Sequence, residues 1–70
     1  MQRTSIFSSN ISSIGYDIQS AILEVEFSSG EIYQYFNVSE YLYNNLMSAS
    51  SKGQFLNDYI KYNHRYQKIK

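Results

Sequence analysis

Tyrosine is the residue type with the clearest chemical potential in this sequence. The chain has 70 residues, of which eight are Tyr and four are Phe, and the densest aromatic segment is Tyr33-Gln34-Tyr35-Phe36. A tyrosine ring has a flat apolar face and a polar tip, which suits it to stacking on nucleobases or packing against a partner. The candidate base-stacking residues are therefore Tyr33, Tyr35, Phe55 and Tyr62.

Basic residues that could bind phosphate are fewer. The candidates for nucleotide or phosphate binding are Arg3, Lys52, Gly53, Arg65 and Lys68. Lys52-Gly53 is the best single candidate because it comes just before a predicted helix, whose free backbone N–H groups and dipole would add to the lysine charge. An ordinary loop between the two predicted helices would equally explain the Lys52-Gly53 pair.

Groups that carry out catalysis are scarce. His64 is the only histidine and there is no cysteine, so the sequence offers neither a disulfide nor a cysteine-based metal site. The three glycines are isolated, which excludes a glycine-rich phosphate loop. Glu24 and Glu26 share one strand face, an arrangement typical of a solvent-exposed face. We expect no enzymatic activity, no metal and no cofactor.

Charge is balanced in total but not along the chain. Residues 1–60 hold two basic residues and all six acidic ones, a net charge of −4, whereas residues 61–70 carry +4. The neutral total excludes a uniformly basic nucleic-acid coat protein. The basic tail faces phosphate, docks onto an acidic body, or is a solvated terminus. No apolar run approaches the roughly 20 residues of a membrane span, so we expect a cytoplasmic protein with no membrane contact.

Three strands are predicted in the first half of the chain. Residues 22–27 alternate apolar and acidic side chains, which predicts a half-buried antiparallel strand. Residues 11–16 and 31–38 are the predicted strands before and after it. The single domain over residues 1–70 is therefore expected to begin with a three-stranded meander, with its strands within about residues 6–38.

Two short helices are predicted to follow, within about residues 40–60, on one face of the sheet. Ser39 is the expected N-cap of the first, with Glu40 in its first turn. Apolar residues at 55, 56, 59 and 60 predict the second helix. Residues 62–70, within the basic tail 61–70, form an edge strand or an ordered tail. The fold class is thus α+β.

The register of the second hairpin decides what Tyr33 and Tyr35 do. A three-residue loop ending at Gly30 pairs Val25 with Tyr33 and directs both tyrosines to the apolar face. A four-residue loop instead directs them to the acidic face as an exposed platform. The position of Gly30 favours the first register.

The chain also resembles the KTSC domain, which is named for the C-terminus of some lysyl-tRNA synthetases and also occurs alone in small bacterial and phage proteins. The resemblance rests on an ordered series of segments: Ser8-Ser9-Asn10-Ile11, Ile14-Gly15-Tyr16-Asp17, Leu23-Glu24-Val25-Glu26-Phe27 with Gly30, Tyr33-Gln34-Tyr35, Val38, and Ser51-Lys52-Gly53-Gln54-Phe55-Leu56-Asn57 with Ile60. It implies a binding module, with RNA among the expected ligands. Arg and Lys are sparse around Tyr33-Gln34-Tyr35, which argues against long RNA in this chain.

Two functions therefore remain as expectations. The first is non-catalytic binding of a small anionic nucleotide, such as a cyclic dinucleotide or short oligonucleotide, or of RNA. In a stand-alone protein, this binding could serve to sequester the nucleotide. The second is a protein-interaction or self-assembly module that uses the tyrosine-rich surface. A homo-oligomer is expected in either case because so small a chain buries a limited core.

Overall fold

The central feature of the fold is a five-stranded antiparallel sheet. The computed structural model describes residues 1–70, and the strands are arranged in the sheet in chain order. Their bounds are β1 Arg3–Ser5, β2 Ile11–Asp17, β3 Ile22–Phe27, β4 Ile32–Tyr35 and β5 Tyr66–Lys68. The α+β class is confirmed.

The expected three-stranded meander is wrong in strand number. The predicted strands exist as β2, β3 and β4, but β1 and β5 extend the sheet at its two edges. Each edge strand has only three residues and all of them are exposed. Because neither strand has an apolar face, no alternation in its sequence distinguishes it from a loop.

The hairpin between β3 and β4 has the register that places both tyrosines on the apolar face. Val25 pairs with Tyr33 and Leu23 pairs with Tyr35. The Phe27 N–H donates to the Glu31 carbonyl at 2.8 Å, and Gly30 has φ +94°, a left-handed conformation that favours glycine. The three-residue loop is confirmed.

Two helices connect β4 to β5. α1 spans Glu40–Ser48, and its N-cap is Ser39, whose Oγ accepts a hydrogen bond from the Leu42 N–H at 3.1 Å. α2 spans Lys52–Phe55 and continues directly into a π-helical segment, Leu56–Ile60. None of the helices is both long enough and apolar enough to cross a membrane.

The start of α2 differs from the sequence prediction. Ser51 is its N-cap and accepts from the Gln54 N–H at 3.3 Å. Lys52 and Gly53 therefore lie inside the first helical turn instead of in the loop before it. A serine at the N-cap satisfies a backbone N–H of this turn from within the protein.

The hydrophobic core lies between the helices and one face of the sheet. Nine buried residues from β2, β3, β4, α1, the π-helical segment and the β4–α1 connection form it: Ile11, Ile14, Leu23, Val25, Tyr35, Val38, Leu46, Leu56 and Ile60. Both helices thus cover the same face of the sheet, as predicted.

The opposite face of the sheet carries a polar network, so Glu24 is not the solvent-exposed residue that the alternation predicted. Glu24 is buried, and its carboxylate accepts from the Arg3 guanidinium at 2.5 Å and the Gln34 amide at 2.9 Å. Arg3 reaches it by lying over Gly15, where a Cβ would come within 2.8 Å of the Arg3 Cγ. A glycine at this position therefore allows β1 to attach to the sheet.

Candidate functional site

An aromatic-lined cleft lies between the β4–β5 edge of the sheet and the end of the π-helical segment. It has a volume of about 340 Å³. Seven residues, five of them aromatic, line this aromatic cleft: Phe27, Glu31, Tyr33, Tyr35, Lys61, Tyr62 and Tyr66.

Strand pairing brings three tyrosine rings together. Tyr33 and Tyr35 alternate along β4 with one residue between them, so they share a face, and Tyr66 of β5 lies directly opposite Tyr35. The Tyr33 and Tyr35 rings are nearly parallel, with their centroids 6.3 Å apart. The Tyr66 ring lies 5.7 Å from Tyr33 and 6.0 Å from Tyr35.

The three rings differ in their access to solvent. Tyr35 is only 2% exposed, whereas Tyr66 is 59% exposed. Burial, and to a lesser degree the neighbouring Tyr33 and Tyr66 hydroxyls, raises the pKa of Tyr35 to about 12, so its hydroxyl is neutral at physiological pH. Phe27 meets Tyr33 edge-to-face with centroids 5.6 Å apart. The inner wall is therefore apolar and fixed in place, and the outer rim is open.

The helical side of the cleft is formed by Lys61 and Tyr62. The Lys61 N–H donates to the Leu56 carbonyl five residues earlier at 2.8 Å, the bond that makes this turn π-helical. The Lys61 ammonium lies 5.5 Å from the centroid of the Tyr62 ring, which is 77% exposed. A cation and an exposed aromatic face thus stand at the same wall.

One ion pair borders the cleft on the sheet side. Lys68 is opposite Tyr33 in the sheet, and its ammonium lies 2.9 Å from the Glu31 carboxylate. The hydrogen bond from Lys68 lowers the pKa of Glu31, and the same bond raises the pKa of Lys68. Glu31 is therefore ionised at neutral pH and is an acceptor of hydrogen bonds only.

A second, smaller pocket adjoins the aromatic cleft. Its volume is about 290 Å³, and its lining has two asparagines and a single aromatic residue: Asn10, Ile11, Phe27, Gly53, Leu56, Asn57 and Lys61. Phe27 and Lys61 line both cavities. We call this cavity the asparagine pocket.

The structure brings together part of the predicted site. Three predicted stacking residues line the aromatic cleft: Tyr33, Tyr35 and Tyr62. Lys68 does not line it but forms an ion pair with Glu31, which does. Gly53 lines the adjoining asparagine pocket.

The other predicted residues lie elsewhere. Arg3 is bound to Glu24 on the opposite face of the sheet, and the Lys52 ammonium donates to the Ala49 carbonyl at 3.0 Å. The Phe55 ring contacts the Tyr59 ring in a tilted arrangement with centroids 4.7 Å apart, and Phe55 packs against the core. Arg65 is exposed just before β5 and does not line either cavity.

Four lining residues were not selected from the sequence: Phe27, Glu31, Lys61 and Tyr66. Lys61 and Tyr66 belong to the basic, tyrosine-rich tail. The composition of this tail is a sequence signal from which both could be predicted as site residues. Glu31 carries no such signal, because only the fold of the tail back onto β4 places a cation beside it. The structure holds no group of three His, Cys, Asp or Glu residues arranged to bind a metal ion.

Known proteins are similar to this chain in sequence and in fold. The sequence model of the KTSC domain matches residues 7–66. The chain belongs to the KTSC domain family. A KTSC domain protein from Yersinia pestis, known from a crystal structure, is 44% identical and superposes with a TM-score of 0.93 over 99% of this chain and 97% of that one.

Two further relatives show the contexts in which this KTSC domain occurs. An uncharacterised protein from Stutzerimonas stutzeri is 43% identical over 99% of both chains. A lysine–tRNA ligase from Nostoc punctiforme is 34% identical over 84% of this chain, which corresponds to only 10% of the ligase. The resemblance inferred from the sequence is confirmed. The same domain is thus found both as a small protein and as a minor part of a large one.

Proposed function

We propose that this KTSC domain is a non-catalytic nucleotide-binding module whose aromatic cleft takes a nucleobase. The aromatic cleft carries the proposal, since it combines five aromatic side chains, one cation and one carboxylate in about 340 Å³. That volume is near the lower end of the range for small-molecule sites, which matches a single nucleoside unit.

Stacking supplies the main part of the binding energy. The exposed ring of Tyr62 and the Tyr33–Tyr66 wall present aromatic faces at the cleft, and base–aromatic stacking contributes about 1–3 kcal/mol per base. The inner residues already contact one another, so little side-chain entropy is lost on binding.

The Glu31 carboxylate favours bases that present N–H donors. Guanine offers two adjacent donors on one edge, which suit a carboxylate in a bidentate geometry, whereas uracil offers one donor between two carbonyl oxygens. A glutamate is ionised at neutral pH, and the hydrogen bond from Lys68 lowers the pKa of Glu31 further, so the preference holds there.

Lys61 provides the charge for a phosphate. Its ammonium stands beside Tyr62 at the cleft wall, so a phosphate attached to a stacked nucleoside lies within reach of it. One or two cations suit a small nucleotide, whereas long RNA requires a cation for most of its phosphates. We therefore favour a free nucleotide or a short oligonucleotide, bound and sequestered in the cytoplasm, over long RNA.

A protein-interaction module is the second candidate. Tyr62 and Tyr66 are largely exposed, and β5 is an edge strand that can accept another strand. An interface of this kind, with a protein partner or with a second copy of this chain, would retain its affinity at high salt. The affinity for a phosphate would fall as salt rises.

A thermal-shift panel tests the proposal. It contains the four ribonucleoside monophosphates, linear and cyclic dinucleotides, and short single-stranded RNAs at moderate salt. A ligand at 100 times its dissociation constant adds about 2.7 kcal/mol of stability, which raises the Tm of so small a domain by roughly 10 °C or more. If no nucleotide shifts the Tm, the proposal is wrong.

Matched variants locate the binding. We expect Tyr62→Ala to weaken nucleotide binding about 5- to 150-fold, the equivalent of one lost stacking contact. Tyr41→Ala removes an equally exposed ring outside the cleft and is expected to bind as wild type does. Equal effects of both substitutions would contradict the assignment of the cleft.

A further inference from the structure

We infer that the aromatic cleft and the asparagine pocket together form one site for a dinucleotide, with the linking phosphate at Lys61. The inference rests on the proposed function, because it extends the ligand from one nucleoside to two. The ligand class is two nucleosides joined by a phosphodiester, and each cavity would hold one of the two nucleosides.

Continuity between the two cavities is the first observation. Phe27 and Lys61 line both, so no other element separates the aromatic cleft from the asparagine pocket. Phe27 is fixed by its edge-to-face contact with Tyr33, and Lys61 is fixed at its backbone by the bond to Leu56. The junction is therefore a built part of the fold.

Size is the second observation. The volumes of about 340 Å³ and about 290 Å³ are similar, and each suits one nucleoside unit better than a whole dinucleotide. A ligand made of two similar units joined by a short link matches two similar cavities joined at a shared wall.

The linings of the two cavities differ in chemistry, so each would hold its nucleoside in a different way. The asparagine pocket presents the exposed side chains of Asn10 and Asn57, which can donate to and accept from a ribose or a base edge. Gly53 and Asn10 lie close together at this pocket, since a Cβ at Gly53 would be 3.6 Å from the Asn10 amide nitrogen. The first unit is thus stacked and the second is hydrogen-bonded.

Charge is the third observation. Lys61 is the one cation common to both linings, and it stands at the junction. The phosphodiester of a dinucleotide carries its negative charge between the two nucleosides. Lys61 likewise lies between the two cavities that would hold them.

Titration calorimetry with 5′-GMP, linear pGpG and cyclic di-GMP tests the inference on the full chain. We expect at least one of the dinucleotides to bind at least tenfold more tightly than GMP. Asn57→Leu, which blocks the asparagine pocket, is expected to remove that gain and leave GMP affinity unchanged. Asn45→Leu is the matched control, since Asn45 is exposed on α1 outside both cavities.

The outcomes separate the two proposals. Equal affinity for GMP and both dinucleotides, or an Asn57→Leu variant that keeps the dinucleotide gain, would overturn the two-cavity site and leave the nucleobase cleft intact. A loss of GMP affinity in Asn57→Leu, with Asn45→Leu unaffected, would also overturn the division of roles. Absence of binding for all three ligands would overturn both proposals.

Discussion

At the scale of single residues, Tyr35 and Glu31 show how neighbours set the chemistry of the cleft. Tyr35 keeps its proton to about pH 12 because it is buried, and Glu31 loses its proton readily because Lys68 donates to it. The cleft at neutral pH therefore contains a neutral hydroxyl at its apolar wall and a single carboxylate at its rim.

The raised pKa of Tyr35 predicts alkaline destabilisation. The folded chain holds this proton to about pH 12, while the unfolded chain releases it near pH 10, so the free energy of unfolding falls as pH rises from 10 to 12. We expect a contribution of at most about 3 kcal/mol, since each unit of pKa shift corresponds to about 1.4 kcal/mol. Urea unfolding of wild type and Tyr35→Phe across this range measures it. An equal loss in both proteins would contradict the assignment.

The Glu31 carboxylate predicts base selectivity. We expect wild type to bind GMP about tenfold more tightly than UMP at neutral pH, since a well-placed bidentate contact discriminates by about 1–3 kcal/mol. Glu31→Gln is expected to narrow this ratio, and Glu40→Gln, on α1 outside the cleft, to leave it unchanged. Calorimetric affinities provide the ratio, and an unaltered ratio in Glu31→Gln would refute the role of Glu31.

At the scale of elements, two glycines differ in what surrounds them. A Cβ at Gly15 would come within 2.8 Å of both the Arg3 Cγ and the Gln2 carbonyl oxygen. A Cβ at Gly53 would lie 3.6 Å from its nearest neighbour, the Asn10 amide nitrogen. Gly15 thus permits the docking of β1, and Gly53 lies in a helix where alanine is the better helix former.

This contrast predicts opposite effects of the same substitution. Gly15→Ala is expected to destabilise the protein by about 1–3 kcal/mol, because the clash displaces β1 from β2. Gly53→Ala is expected to stabilise it by up to about 1 kcal/mol. Thermal unfolding of the two variants measures both effects, and a Gly15→Ala variant as stable as wild type would show that β1 is not held as described.

The elements that the sequence predicts well are those with an intrinsic signal. The strand at residues 22–27 and the cap at Ser39 are both confirmed, because burial of apolar side chains and satisfaction of helix N–H groups act locally. β5 has no such signal. Its three exposed residues become a strand only because β4 offers an unpaired edge, a property of the assembled sheet.

At the scale of the whole molecule, the return of the basic tail to the acidic body creates the cleft. The tail lies as β5 along β4, and its Lys68 pairs with Glu31. From the sequence, the basic tail could dock onto the acidic body, face phosphate or be a solvated terminus. The structure shows the docking. The sequence did not predict Lys61 as the cation at the cleft, because that depends on where the π-helical segment ends.

The small number of cations predicts a shallow salt dependence of nucleotide binding. With one phosphate contact, a rise from about 50 to about 500 mM salt is expected to weaken GMP binding, because salt screens the attraction between the Lys61 ammonium and the phosphate. Lys61→Ala is expected to flatten this dependence, and Lys70→Ala, outside the cleft, to retain it. A GMP affinity that does not vary with salt in wild type would contradict the phosphate contact at Lys61.

The most direct test of the central claim is a titration of the ¹⁵N-labelled protein with GMP, followed by two-dimensional NMR. Binding in the aromatic cleft predicts dose-dependent shifts concentrated at Tyr33, Lys61, Tyr62 and Tyr66, with α1 and β1 unchanged. An unchanged spectrum at millimolar GMP, or shifts centred on Lys52 or on the Arg3–Glu24 face, would contradict the nucleobase cleft.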